Sequence, residues 1–327
     1  MAGGMTTANS DLLIRSELYS AQLKEILEDE LMAQGYVDWL TEFPDGTTFT
    51  VPSVGQATTQ TVAEDQAIKY SALDTGEFQF TITEYLGSAH YVTKKNLQDS
   101  FYMQRVMSQF AAKESRAIME VLEADILKSP GPTASQTGTS QTASAANAIN
   151  GYDHRYIGTG SGDTMDPADF AYAKLALKKA NVPLNNLVAI VDPTVGYQLE
   201  TLTGLSDVTY NPRWEGIIGT GLTTGMRFIR NVYGFDVYES NYLAAGLGET
   251  ITHGGSSNSV TNGVQNLFFS ADSTVLPIMG AWRQMPEVDA EFNKDFQREE
   301  YVTTARWGLK LFRPENMVCV LTDSTAV

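Results

Sequence analysis

The stretch "DAEFNKDFQREE", residues 289–300, carries oxygen donors at the spacing of a known metal loop. Asp289, Glu291, Asn293, Asp295 and Glu300 take positions 1, 3, 5, 7 and 12 of an EF-hand, where hard ligands wrap a calcium ion. Two features oppose that chemistry. Lys294 stands where the tight turn demands glycine, and the flanks read as strands rather than helices. Alternate spacing would equally put Asp289, Glu291, Asn293 and Asp295 on the solvent face of a strand. Calcium is therefore the alternative and a solvated strand the reading. His90, His154 and His253 lie far apart, with no ligand spacing between them. His90 in "SAHYV" reads as a strand residue and His253 in "ITHGGSS" as a loop residue. The glycines of "GTGSG" (158–162) and "GIIGTGLTTG" (216–225) resemble phosphate cradles, but neither stretch has the strand-to-helix context of a dinucleotide loop. Cys319, inside "MVCVL", reads as buried filler. No P-loop, zinc-protease helix, paired-cysteine signature or serine-hydrolase elbow occurs. The expectation is a protein that is not an enzyme and has no cofactor or metal.

Function must then lie in how the elements fit together. With 327 residues and 43% hydrophobic content, the chain can bury a substantial core as one large or two modest domains. Its 22 basic and 39 acidic side chains give a net charge of −17, which repels phosphate backbones and argues against sequence-specific nucleic-acid binding. No apolar run approaches the ~18 residues of a membrane helix, and the first residues lack the basic and apolar regions of a signal peptide. A soluble protein without a membrane partner is expected.

Leu12, Tyr19, Leu23, Ile26, Leu27 and Leu31 form one stripe of an amphipathic helix over 11–34. Its acidic cluster Glu28, Asp29 and Glu30 reads as a solvated face. A thin, polar stretch follows, "VPSVGQATTQTVAEDQAIKY" (51–70), set between segments that alternate like strands; Phe78, Phe80 and Ile82 share one face of the second. From Lys94 to Lys128 there is no Gly or Pro, and apolar residues recur at helical intervals, predicting a helix about 50 Å long at ~1.5 Å per residue. Residues 131–164 read as a loop. Asp166 before Pro167 predicts a capped helix over 167–180. "LVAIVDP", "TVGYQLETL" and "FDVYESNYL" then predict strand, helix and strand, an α/β layer. Residues 244–263 read as a second loop. In "YVTTARWGLKLF", Tyr301, Thr303, Ala305, Trp307, Leu309 and Leu311 face one way and Arg306 and Lys310 the other, ahead of a last strand.

The order of these parts resembles the major capsid proteins of tailed bacteriophages, with the Hong Kong 97 fold. Four stretches carry the resemblance. In "FQFTITEYLGSAHYVTKKNLQDS" a returning strand leads through Thr93, Lys94, Leu97, Asp99 and Ser100 into a long helix. "NNLVAIVDPTVGYQLETL" and "RNVYGFDVYESNYLAAG", with Gly234 and Val237, resemble the axial domain. "REEYVTTARWGLKLFRPENMVCV", with Arg313 and Pro314, resembles the strand pair of the peripheral domain. The resemblance implies an α+β fold with an N-terminal arm (1–44), an extended β-hairpin loop or E-loop (45–77), a peripheral domain with its spine helix (78–130 and 276–327), a flexible loop (131–164) and an α/β axial domain (165–275).

The function implied is that of a major capsid protein assembling through hexamers and pentamers into an icosahedral shell around a double-stranded DNA genome. An encapsulin-type nanocompartment is the alternative, and a cytosolic α/β enzyme stands behind it. The implied partners are further copies of the chain, a scaffolding protein, a portal protein, a decoration protein and non-specifically held DNA, with assembly in the host cytoplasm. Independently of the resemblance, a thin hairpin is marginal alone in water and gains its stability on another surface. Val54, Val62, Glu64, Asp65, Ile68, Lys69 and Tyr70 are the candidate subunit contacts.

Overall fold

The computed structural model describes residues 31–40, 48–54, 59, 61–62, 64–65, 75–99, 103–130, 147–201, 228–246, 248, 250–260 and 262–325. The Gly- and Pro-free stretch forms two helices, α1 (Lys94–Asp99) and α2 (Met103–Lys128), with residues 100–102 outside the described ones. The single helix expected over 94–128 is thus described as two, the longer spanning 26 residues, or about 39 Å at ~1.5 Å each. Ile118, Leu122 and Ile126, four residues apart, place one buried stripe along α2.

That stripe meets a four-stranded sheet in the order β1 (Val37–Leu40), β12 (Ile278–Asn293), β13 (Arg298–Leu311), β4 (Glu84–Thr93). Alternation decides which face of the sheet turns inward. Thr303, Ala305 and Trp307 on β13 are fully buried beside α2, whereas Lys310 is exposed. The predicted period of two is the period observed.

A second, six-stranded sheet runs β5 (Arg155–Ile157), β14 (Val318–Asp323), β11 (Gly263–Ser270), β6 (Leu187–Val191), β8 (Phe235–Glu239), β7 (Phe228–Val232). All five residues of β6 are buried, because both of its faces are covered. Leu187, Ala189 and Val191 pack in one cluster with Phe170, Leu177, Val195 and Leu199 of helices α3 (Pro167–Lys179) and α4 (Pro193–Thr201). Val188 and Ile190 pack in the other, with Leu122 and Ile126 of α2 and with Trp307 of the four-stranded sheet. Helix α2 thereby contributes to one core shared by both sheets.

Helix α3 starts where Asp166 and Pro167 predict. The Asp166 side chain accepts from the Ala168 amide, and Asp169 reaches back to the Asp166 amide to complete a capping box.

Three boundaries differ from expectation. The loop set at 131–164 contains β5, whose three residues are buried against β14. The loop set at 244–263 contains a β-hairpin, β9 (Thr250–His253) with β10 (Ser256–Ser259). The last strand, β14, joins the six-stranded sheet between β5 and β11, not the four-stranded sheet that the division at residue 276 implied. The amphipathic helix expected at 11–34 lies outside the described residues up to residue 30. At its far end, Ala33–Tyr36 is a 3-10 turn.

Candidate assembly surface

Strands β2 (Thr48–Val54) and β3 (Thr75–Thr81) pair antiparallel from Thr48–Thr81 to Val54–Thr75, and this two-stranded sheet joins no other strand among the described residues. Pro52, opposite Glu77, fits a strand with an open edge, since proline donates nothing to a ladder. Among the described residues, the base of the hairpin is held. Phe80 and Ile82 are buried with Ala281 and beside Leu40, and the Lys310 ammonium donates to the Gln79 carbonyl at 2.8 Å. Gly308 makes the contact fit, because a Cβ there would lie 2.8 Å from the Thr81 oxygen and 2.9 Å from the Ile82 Cα.

Farther out, Val62 is 52% exposed, and Glu64 and Asp65 sit in an exposed turn with Asp65 at φ 68°. The Val54 backbone ends the ladder, its side chain lying outside the described residues together with Ile68, Lys69 and Tyr70. The described residues thus combine an anchored root with exposed positions at 59, 61–62 and 64–65. The hairpin can add its backbone edges and charged tip to another surface.

The stretch at 289–300 is the end of the β12–β13 hairpin. Glu291 stands opposite Glu300 and Asn293 opposite Arg298, with residues 294–297 in the turn. An EF-hand wraps its ligands around one point, whereas a strand ladder spreads Asp289 and Glu291 along a rod. Glu300 is instead engaged by Arg298 and by the Asn293 amide, and the Arg298 bond foremost holds its carboxyl below the usual range. No metal-holding cluster of His, Cys, Asp and Glu occurs among the described residues. Arg298 also lies over the rings of Tyr91 and Phe296, at 4.6 and 4.7 Å from their centroids.

Two buried carboxylates on α2 tie it to its surroundings. Glu114 contacts His90 Nδ1 at 2.6 Å and accepts from the Thr303 hydroxyl at 2.6 Å, which fixes helix to sheet. Glu123 accepts from the amides of Met32 and Ala33 at 2.9–3.0 Å, pinning the chain that leads into β1. Burial pushes the Glu123 carboxyl above its ordinary range, against the opposing pull of those amides and of Arg116. Beside it, the Tyr36 hydroxyl is pushed up to about 12, by burial first and then by Tyr238.

The remaining motif residues have structural roles. Tyr233 and Gly234, at φ 51° and 96°, form the two-residue turn between β7 and β8, and Lys174 donates to the Tyr233 carbonyl. Val237 is buried on β8 opposite Ala189. The Arg313 amide donates to the Pro277 carbonyl, and Pro314 opens the 3-10 turn that leads into β14. In the loop at 158–162, the Thr159 amide and hydroxyl both donate to Asp169, so the anion held there is the chain's own. The glycine-rich stretch at 216–225 lies outside the described residues. Cys319 is buried, as expected.

His90 is on a strand, whereas His253 is not the loop residue the sequence suggests. It sits on β9, bonded to Asp153 at 2.7 Å and stacked on Tyr156 at 4.6 Å between centroids. A contact across 100 residues leaves no local mark in the sequence.

The sequence pattern of the family described as "phage capsid protein" matches residues 75–320. No curated protein matches the chain. Among solved structures, the chain is similar to the capsid of cyanophage Pam1, with a TM-score of 0.70 at 13% identity, covering 100% of each chain. It is similar to the capsid of cyanophage P-SCSP1u, with a TM-score of 0.68 at 15% identity over 100% of this chain and 97% of that one. A chain of Mycobacterium phage Che8 gives a TM-score of 0.63 at 18% identity over 94% and 97%. Identities this low carry the fold, a mixed α+β arrangement, and nothing finer.

Proposed function

The chain belongs to the phage capsid protein family, and from that premise we infer how it works as a major capsid protein, a structural subunit of the virion. The observation that carries the reading is the β2–β3 hairpin, held at its root by Phe80 and Ile82 and otherwise paired only with itself among the described residues. An isolated two-stranded hairpin is marginal in water. As the extended loop of 45–77, it gains its stability on a neighbouring subunit. Loop and receiving surface differ, so the contact is head to tail and closes into rings when the rotation allows. Hexamers and pentamers built this way tile a closed icosahedral shell of the Hong Kong 97 type, whose strength comes from many weak contacts acting together. In this reading α2 is the rigid spine between a peripheral domain, the four-stranded sheet, and an axial domain, the six-stranded sheet with α3 and α4.

The partners follow from the same reading. A scaffolding protein engages the N-terminal arm, a portal protein replaces one capsomer, and a decoration protein binds the finished surface. The net charge of −17 lets packaged double-stranded DNA move without adhering. Assembly takes place in the host cytoplasm, and catalysis has no part in it. A nanocompartment shell is not favoured by the family match.

The test is electron microscopy of particles formed by the chain with a scaffolding protein, beside a variant in which residues 55–74 are replaced by a short Gly-Ser linker. The unaltered chain should give closed shells. The excised chain should fold but give none, and normal shells from it would refute the role given to the hairpin.

A further inference from the structure

We propose that Asn150 is a self-modifying site, whose side-chain amide cyclises onto the Gly151 nitrogen and hydrolyses to an acid, and that this conversion cuts the tie between its turn and the end of helix α3. The proposal goes beyond the assembly role of the hairpin and does not depend on it.

Asparagine followed by glycine occurs twice in the sequence, at 150–151 and at 262–263. Glycine has no side chain to crowd its own nitrogen, so this dipeptide closes to a five-membered imide more readily than others. Structure decides which pair reacts. Asn150 and Gly151, at φ 51° and 81°, form the two-residue turn between Ile149 and Tyr152, whose backbones exchange hydrogen bonds of 2.9 and 3.0 Å. The peptide joining the two central residues lies outside that pair. Among the described residues, neither the Asn150 carbonyl nor the Gly151 amide has a hydrogen-bond partner. Both residues are exposed, and a Cβ on Gly151 would meet nothing within 4 Å, so the peptide has room to turn toward the side chain.

At 262–263 the backbone is held instead. The Asn262 carbonyl accepts from the Ser324 amide and hydroxyl, each at 3.0 Å, and the Gly263 carbonyl accepts from the Gly246 amide at 2.6 Å. A Cβ on Gly263 would lie 2.7 Å from Val260 Cγ1. That peptide rotates only if the start of β11 opens.

The chemistry balances with water alone. The Gly151 nitrogen attacks Asn150 Cγ, the bond from Cγ to Nδ2 breaks, and Nδ2 leaves as ammonia with the amide proton. Water then opens the imide. Breaking its bond from nitrogen to Cγ gives aspartate, and breaking the other gives isoaspartate, which carries one more atom in the backbone. Either product undoes one contact. The Asn150 amide now donates to the Lys179 carbonyl at 2.9 Å, and that carbonyl closes α3 at the negative pole of the helix. A carboxylate offers acceptors alone and repels it.

The test keeps unassembled subunits in mildly alkaline buffer and follows proteolytic peptides by mass spectrometry for a gain of about 1 Da. The Asn150 peptide should convert at least about tenfold faster than the Asn262 peptide, which must wait for local opening. Equal rates in the folded chain overturn the site. In urea the two rates should converge; a difference that survives unfolding belongs to neighbouring sequence and overturns the structural argument. Asn150→Asp supplies the product at once and should speed amide exchange at Ile149 and Tyr152, and unchanged exchange there overturns the cut tie. Subunits suffice, so the result is separate from whether the chain forms shells.

Discussion

Replacing Gly308 by alanine tests whether the hairpin root is held by a contact that only glycine permits. The new Cβ would lie 2.8 Å from the Thr81 oxygen, 2.9 Å from the Ile82 Cα and 3.2 Å from the Phe80 ring, against an ordinary contact range of 3.4–4 Å. Two of those neighbours are backbone, and neither can rotate aside. Relief can come from a local shift, costing about 1–3 kcal/mol as in other overpacked sites. It can also come from lifting the root away, which exposes Phe80 and Ile82 at about 1.5–3 kcal/mol each. The first route costs less, so the subunit should lose about 1–3 kcal/mol with the hairpin still attached. Gly87→Ala in the same sheet is the control, because its Cβ would meet only Thr304 Cγ2 at 3.5 Å and the Thr303 oxygen at 3.7 Å. That change should be neutral, or stabilising by up to about 1 kcal/mol. Urea unfolding of the unassembled subunits should place the Gly308→Ala midpoint roughly half a molar below wild type, with Gly87→Ala at or above it. Coincident midpoints for the two variants would refute the close-approach argument.

Glu123→Gln should change how stability depends on pH. Burial raises the folded carboxyl above its unfolded value, so its contribution is complete below the ordinary carboxylate range and is lost as pH rises through the raised value. Glutamine keeps an acceptor and removes the charge, so denaturation across the weakly acidic range should show a flatter slope. A slope equal to that of wild type would contradict the assignment. Asp166→Ala removes the cap of α3 and should cost about 1 kcal/mol in the same assay. Truncation of residues 1–30 keeps the Met32 and Ala33 amides on Glu123, so the subunit should melt as before while assembly with a scaffolding protein fails. Normal shells from that truncation would remove the N-terminal segment as the scaffold contact.

Elements whose cause is local were legible in the sequence. Helix α3 carries its own start in Asp166 and Pro167, and β13 its own period in Thr303, Ala305 and Trp307. What escaped has causes elsewhere in the chain. Strand β5 is three residues long and is buried by β14, more than 150 residues away, so its glycine-rich surroundings read as a loop. Strand β10, "SSNS", has poor strand propensity and forms by pairing with β9. Assigning β14 to one sheet or the other depends on topology, which an apolar run does not record. The stretch 51–70 stands out in the sequence by its thinness, a deficit of apolar side chains, whereas the root of the β2–β3 pair depends on Gly308, more than 200 residues downstream.

The position of β14 has a consequence for synthesis. The six residues of β14, the last of the described strands, fill the slot between β5 and β11, where Val318, Val320 and Leu321 lose all contact with solvent. A ribosome that stalls before residue 318 releases a sheet with a gap at that slot and its neighbouring faces uncovered. Incomplete polypeptides are therefore marked by the apolar faces of β5 and β11 that β14 would otherwise cover.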